Sequence, residues 1–278
     1  MTVAFQGEFG AYSEEAVRAL FDAAEPMPCA DFEEVFEAVE AGRAARAVVP
    51  IENSLFGSVH VNYDHLRQHD VQIVGELNLR IRHHLLGVAG ATLDAIRRVK
   101  SHPQALGQCR RFLRRNLPGA TTHPVYDTAG AAKQVAEAGR ADVAAIASAA
   151  AARRYGLDVL AAEIEDDPQN FTRFLVLAHA DAEVAHAAAP MKTSIVFALR
   201  ENVPGALYKS LAVFALRDLD LFKIESRPRV GHPGRYLFYL DVEGCASDEP
   251  VERALAHLGE ITAELKVLGS YPQGGTVA

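Results

Sequence analysis

Apolar and polar positions along this chain follow two rhythms, one with the two-residue period of strands and one with the three-to-four-residue period of helices, and the two take turns. Val3, Ala4 and Phe5 open a short strand that breaks at Gln6-Gly7-Glu8-Phe9-Gly10, and the spacing beyond predicts a helix over 13–21 with Ser13 able to cap it. Phe32, Val35, Phe36 and Val39 share one helical face over 32–41, and 46–51 then reads as a buried strand. Further on, 71–79 and 85–87 read as strands, 93–99 as a short helix followed by strand, and 104–113 as a helix stopped by Pro118-Gly119. The theme repeats with helix over 128–138, strand over 141–146 and helix over 147–155.

Strands interleaved with helices predict an α/β fold with mostly parallel sheets, in which ligands bind outside the carboxyl ends of the strands. Residues 178–190 are Ala-rich, carry no apolar period and end in Pro190, which marks a linker or frayed helix between domains. Beyond it the order changes. Strand over 193–199, helix over 205–217, strands over 221–226 and 236–243, helix over 250–258 and strand over 265–271 give βαββαβ, a ferredoxin-like plait. The expected domains are therefore 1–180 and 191–278, and no internal repeat of solenoid period is visible.

Composition narrows the function classes. With 28 Lys and Arg against 36 Asp and Glu and no dense basic run, a nucleic-acid or anionic-membrane surface is disfavoured, so an anionic ligand needs a local cationic pocket. Cys29, Cys109 and Cys245 are far apart and form no CxxC pair, which suggests neither a disulfide framework nor a thiolate metal site. The first residues lack a basic segment followed by an apolar run, and no stretch has the ~18 apolar residues of a membrane span, so a cytoplasmic protein is expected.

Four segments place small, amide or hydroxyl side chains at the ends of apolar strands: 50–59, with Asn53 and Ser54; 101–106, with Ser101 and Gln104; 127–132, with Thr128 and Ala129; and 166–174, with Asn170, Thr172, Arg173 and Phe174. Ser101 and Thr128 sit where helices begin, and two helix N-termini with their exposed N–H groups suit a dianion. N-capping alone is the plainer reading of each. His102, next to a proline at a strand end, reads as a structural histidine as readily as an acid or base. His83 and His84 are adjacent on a strand and point to opposite faces, so they share no ion, and no metal is assigned.

Together, Ile51-Glu52-Asn53-Ser54 with Gly57, Ser101-His102-Pro103-Gln104-Ala105-Leu106 with Gln108-Cys109, and Asn170-Phe171-Thr172-Arg173-Phe174 resemble the prephenate dehydratase family, and the resemblance runs from Phe5 to Pro272 in the family's order. It implies a two-lobed periplasmic-binding-protein-like (type II) catalytic domain, no cofactor, prephenate as substrate and phenylpyruvate, carbon dioxide and water as products. It also implies an essential threonine at Thr172. Arg173 would then pair with a substrate carboxylate through its guanidinium fork, unless it is bound to an acid such as Glu52 or Asp166. Asn53, Ser54, Ser101, Gln104, Thr128 and the Ala129 backbone would complete the polar wall. Phe171 and Phe174 would pack beside the ring or fill the core.

The second domain is similar to an ACT domain, which implies phenylalanine as an effector bound by Gly205-Ala206-Leu207 and by Glu225-Ser226-Arg227-Pro228. Asn202 or Glu225 would meet the ammonium, and a homodimer or homotetramer is expected. The two expected domains use the given residues, so a fused chorismate mutase is not expected. Two alternatives stay open: a dehydratase preferring arogenate, and a non-catalytic amino-acid sensor.

Overall fold

The computed structural model describes residues 1–183 and 189–277, and the middle of the linker expected over 178–190 lies outside the described residues. In chain order the elements begin with β1 (Thr2–Gln6), α1 (Tyr12–Leu20), β2 (Glu25–Cys29), α2 (Phe32–Glu40), β3 (Arg46–Asn53), β4 (Gly57–Ser58), α3 (His60–Gln68) and β5 (Val71–Arg80). There follow β6 (His84–Gly87), β7 (Arg98–Ser101), α4 (Pro103–Gln108), α5 (Arg110–Asn116), β8 (Thr121–Pro124), α6 (Thr128–Ala138), β9 (Val143–Ala147), α7 (Ala149–Tyr155), β10 (Asp158–Ala161) and β11 (Phe171–His179). The last group is β12 (Met191–Leu199), α8 (Ala206–Ala215), β13 (Leu221–Pro228), β14 (Tyr236–Glu243), α9 (Glu249–Ile261), β15 (Thr262–Pro272) and β16 (Thr276–Val277).

Two α/β sheets share one plan. One runs β16-β5-β11-β3-β1-β2, with β4 paired to β3, and the other β10-β6-β9-β7-β8. In each, a first strand lies parallel between a second and a third, as β2-β1-β3 and as β8-β7-β9. Beside the third comes a strand from elsewhere in the chain, β11 in one sheet and β6, antiparallel to β9, in the other. This is the two-lobed, periplasmic-binding-protein-like type II arrangement. Val3, Phe5, Val48, Val143 and Ala145 anchor one buried cluster, and Leu85, Val99, Ala144 and Ile146 anchor another. Alternation along β9 sends Ala144 and Ile146 one way and Val143 and Ala145 the other, as a strand covered on both faces requires.

The described residues divide into two compact units that do not follow the linear boundary expected near 180–191: Tyr63–Glu76 join Leu175–Gly275, while the C-terminal strand β16 pairs in parallel with Asn78 and Leu79 of β5. The reasons are side-chain specific. In this second unit the sheet β13-β14-β12-β15 is antiparallel throughout, and its apolar face, with Ile195, Phe197, Phe238 and Leu240, packs with Val213, Phe214, Ala254 and Leu258 of α8 and α9. Its other face is polar and holds the 63–76 segment. Lys266 Nζ caps the end of α3, 3.0–3.2 Å from the carbonyls of Leu66, Arg67 and His69. Asp64 pairs with Arg227 at 2.7 Å, and Glu76 with buried Lys192 at 2.8 Å. Gly269 runs so close to β5 that a Cβ there would stand 2.2 Å from the Ile73 carbonyl oxygen.

Several elements depart from the sequence expectation. β2, Glu-Pro-Met-Pro-Cys, is an edge strand, the position where prolines that cannot donate are tolerated. The helix expected over 104–113 is two, because Cys109, wholly buried, leaves helical geometry at φ −116°. Ser13 lies inside α1, whose N-cap is Ala11. Among the described residues no helix is long and apolar enough to cross a membrane.

Candidate active site and effector depression

A cavity of about 420 Å³ opens where β1, β3 and β7 end and where β11, α1, α4 and α6 begin; Asn53, Gln104, Thr128, Thr172 and Phe174 are among its lining residues. Strand ends facing helix starts concentrate backbone N–H groups that have no intrahelical acceptor. At α6 the cap is Asp127, not Thr128: its carboxylate accepts from Gly130 N and, at 3.3 Å, from Glu8 N. At α4 the cap is His102, whose Nδ1 accepts from Gln104 N at 3.3 Å, not Ser101.

The hydroxyl of Thr172 is aimed by Asn53. The Asn53 carbonyl oxygen accepts from the N–H groups of Leu55 (3.0 Å) and Phe56 (3.1 Å), which fixes the amide's orientation. Its NH2 is then shared among Asn170 Oδ1 (2.8 Å), Thr172 Oγ1 (3.0 Å) and the Phe171 carbonyl (3.1 Å). Because Thr172 Oγ1 accepts from Asn53, its own proton remains to donate. Thr172 is 8% exposed and Asn170 fully buried, so these bonds meet little competition from water.

Other expected residues are placed elsewhere. Thr172 and Phe174 both line the cavity, so alternation along β11 turns Arg173, between them, to the opposite face of the strand; the expectation that threonine and guanidinium face one cleft is corrected to the threonine alone. Ser54 donates to the Gln169 carbonyl at 2.7 Å and accepts from Phe171 N at 3.0 Å, stapling two loops together. Ser101, fully buried, donates to the Ile146 carbonyl at 2.6 Å, and Ala129 lies in the core. Neither is among the lining residues.

The cavity also contains residues to which sequence reading assigned no role: Tyr12, Gln108, Tyr126, Asp127, Phe32 and Ile81, together with His83. Tyr12 directly follows the Gly-bearing loop after β1, which was the available signal for it. Burial pulls the pKa of His83 and of His102 below the ordinary histidine value and pushes the Tyr12 phenol well up. Burial likewise pushes up the Cys109 thiol, leaving it protonated and unreactive. No Lys or Arg is among the described residues that line the cavity, so the local cationic pocket expected for an anion is replaced by backbone N–H groups and neutral donors.

In the second unit a surface depression of about 470 Å³ is bounded by Asn202, Gly205, Ala206, Leu207, Ser226 and neighbouring apolar residues. Gly205, at φ +81°, caps α8 in a left-handed conformation that favours glycine. Glu225 and Arg227 are not in its lining: β13 alternates, and with Ser226 toward the depression they take the other face, where Glu225 lies 3.7 Å from Lys223 and Arg227 meets Asp64. The expected effector contacts of these two side chains are corrected accordingly.

Fold and site together define a two-lobed α/β small-molecule cleft lined by hydroxyl, amide and imidazole groups and followed by an ACT-like plait. The family model described as prephenate dehydratase matches residues 3–182, and the chain belongs to that family. It is similar to "Arogenate dehydratase/prephenate dehydratase 2, chloroplastic" of Arabidopsis thaliana, 49% identical over 284 residues that cover 99% of this chain and 74% of that one. Among solved structures it is similar to a prephenate dehydratase from Arthrobacter aurescens in complex with L-Phe, with TM-score 0.89 and 36% identity over 98% of this chain and 90% of that one. It is also similar to GqqA, described as a novel type of quorum quenching acylase, with TM-score 0.90 and 37% identity over 98% of each chain. The cytoplasmic location expected from the sequence is not sustained: three Arabidopsis relatives are named chloroplastic, which points to a plastid for those enzymes rather than the cytoplasm.

Proposed function

We propose that this chain converts prephenate to phenylpyruvate, carbon dioxide and water. The observation that carries the reading is the Thr172 hydroxyl, held by Asn53 with its proton available to donate into the cavity. In the reaction the ring carboxylate leaves as carbon dioxide, its electron pair aromatises the ring, and the hydroxyl at the opposite ring carbon departs. Aromatisation supplies the driving force, so the protein's part is to hold the substrate and stabilise the departing oxygen. Thr172 donates to that oxygen. The first N–H group of α6, at Thr128, and the Gln104 side chain bind carboxylate, and Phe174 packs beside the ring. Asn53 and Asn170 position the threonine. Following phenylpyruvate formation from the purified chain and prephenate tests the reading, and no product above the uncatalysed rate would overturn it.

A second reading, arogenate as the preferred substrate, is favoured by the relatives' names and by a cavity with Asp127 but no Lys or Arg among its described lining. An ammonium suits such a wall better than a second net negative charge does. Amide hydrolysis of the kind named for GqqA would call for a hydroxyl beside a basic imidazole. Here His102 caps α4, and His83 is engaged by Tyr12 and Gln108.

Regulation completes the reading. Phenylalanine occupies the depression at Gly205, its carboxylate on the N-terminal amides of α8, its ammonium near Asn202 and its ring against Leu207 and Phe238; binding there lowers activity, and by linkage substrate opposes it. The chain acts as a homodimer or tetramer, for which the edge strand β13 offers half-exposed Phe222 and Ile224. Saturating phenylalanine that left both turnover and thermal midpoint unchanged would refute the effector assignment.

A further inference from the structure

Tyr12, His83 and Gln108 line the cavity and form a chain of hydrogen bonds whose protons can be counted. Tyr12 Oη lies 2.7 Å from the Arg82 carbonyl oxygen, which only accepts, and 2.8 Å from His83 Nδ1. The phenol has one proton, and it goes to the carbonyl, so Nδ1 carries a proton of the imidazole. His83 Nε2 lies 2.6 Å from Gln108 Oε1, an amide whose two ends exchange by a half-turn about its last side-chain bond. With a neutral ring, Nε2 is a bare acceptor, and Gln108 turns its NH2 toward it and its carbonyl oxygen toward the cavity. With a charged ring, Nε2–H donates, the amide is reversed, and the cavity receives the NH2. The charge of His83 and the polarity that Gln108 shows a ligand are one variable.

The surroundings decide which state prevails. His83 is 2% exposed, and burial, the largest influence on it, opposes charge and outweighs the Gln108 contact, which favours it. Glu165, which accepts from His83 N at 2.9 Å, favours the charged ring, but Arg80 lies 3.9 Å from that carboxylate and offsets it. His84 opposes the charge further; Arg82, on its other side, lies 3.8 Å from Glu163. Tyr12 and Cys109 are kept protonated by burial, and Glu15, itself raised by burial, faces Tyr12. The neutral ring is the state at neutral pH, and with its proton on Nδ1 it requires the Gln108 amide to turn over from the Oε1–Nε2 contact, which brings the carbonyl toward the cavity.

We infer that Gln108 distinguishes an amino-acid substrate from its keto-acid counterpart, with His83 as its positioning residue. The inference rests on the dehydratase reading and deepens it. Arogenate and prephenate share both carboxylates and the ring hydroxyl; they differ only in bearing an ammonium or a keto oxygen beside the side-chain carboxylate. A carbonyl acceptor stabilises the first and repels the second, so a reversible amide changes the ratio of the two reactions only where it meets that group. At a carboxylate, both reactions would change alike.

The test uses the full chain, measuring kcat/KM for both substrates from about pH 5 to 8 with uncatalysed aromatisation subtracted. The arogenate-to-prephenate ratio is expected to hold steady at high pH and to fall about tenfold as pH drops below the lowered pKa of His83. Gln108→Glu, an acceptor in either orientation, raises the ratio about tenfold, and His83→Gln removes its pH dependence. Nitrogen-15 spectra of the histidine-labelled chain at neutral pH should show His83 neutral with its proton on Nδ1. A proton on Nε2 instead overturns the bond assignment whether or not the chain is active. If both substrates turn over while the ratio stays within about twofold across pH and in both variants, the inference falls and the dehydratase reading stands. If neither substrate is consumed, both fall. Should Gln108→Glu not fold, His83→Gln and the parental pH profile decide.

Discussion

The two ligand sites are assembled differently. The cavity joins residues far apart in the chain, and half-buried Asn53 bonds the fully buried Asn170, 117 positions away. The effector depression is built mainly from one local turn, 199–208, closed by Ser226, Tyr236 and Phe238 of two neighbouring strands. A site held by long-range buried bonds depends on each of them. A site formed by one turn depends on the backbone conformation of that turn.

The contrast can be broken at several points. The largest effect is expected for Asn53→Leu, which removes the donor to Thr172 and the acceptor for two N–H groups; turnover should fall about 10³-fold and stability by about 2 kcal/mol, read by kinetics and chemical denaturation. A variant with parental turnover would show that Thr172 needs no such partner. Next is Ser101→Ala, which leaves the buried Ile146 carbonyl without its donor. It should cost about 1–3 kcal/mol of stability while kcat stays within about threefold, and a large loss of kcat at unchanged stability would instead place Ser101 on the substrate.

Gly205→Ala should cost about 1–2 kcal/mol from the positive φ and weaken phenylalanine inhibition, leaving kcat without phenylalanine unchanged. Inhibition curves and thermal midpoints measure both, and unaltered inhibition would separate the depression from regulation. The smallest effect is expected for Arg173→Gln, less than about threefold in kcat/KM, because the side chain lies across β11 from the cavity. A loss of a hundredfold or more would return the guanidinium to the substrate.

The same division explains what could be read from the sequence. The βαββαβ plait was legible because its amphipathic strands and helices follow one another with short turns, and Gly205 sits in such a turn. In the first unit the motif residues Asn53, Gln104, Thr128 and Thr172 were visible as separate polar segments, yet nothing local shows that Asn53 holds Thr172. Arg173 was misplaced because 166–174 reads as a loop, whereas β11 begins at Phe171 and alternation divides neighbours between faces. The polar helix α3 carries no apolar period to announce it, and its reason for folding lies in Lys266 and Arg227, some 160 to 200 positions further along. The shared strand order of the two lobes is likewise a property of pairing, which leaves no repeat in the residues themselves.

The most direct measurement of the central claim compares phenylpyruvate formation from prephenate by the parental chain, Thr172→Val and Thr172→Ser at equal folded concentration. The account predicts a loss of about 10² to 10³ in kcat for valine, which keeps the shape without the proton, and substantial recovery for serine, which restores the donor. Parental turnover by the valine variant would contradict it.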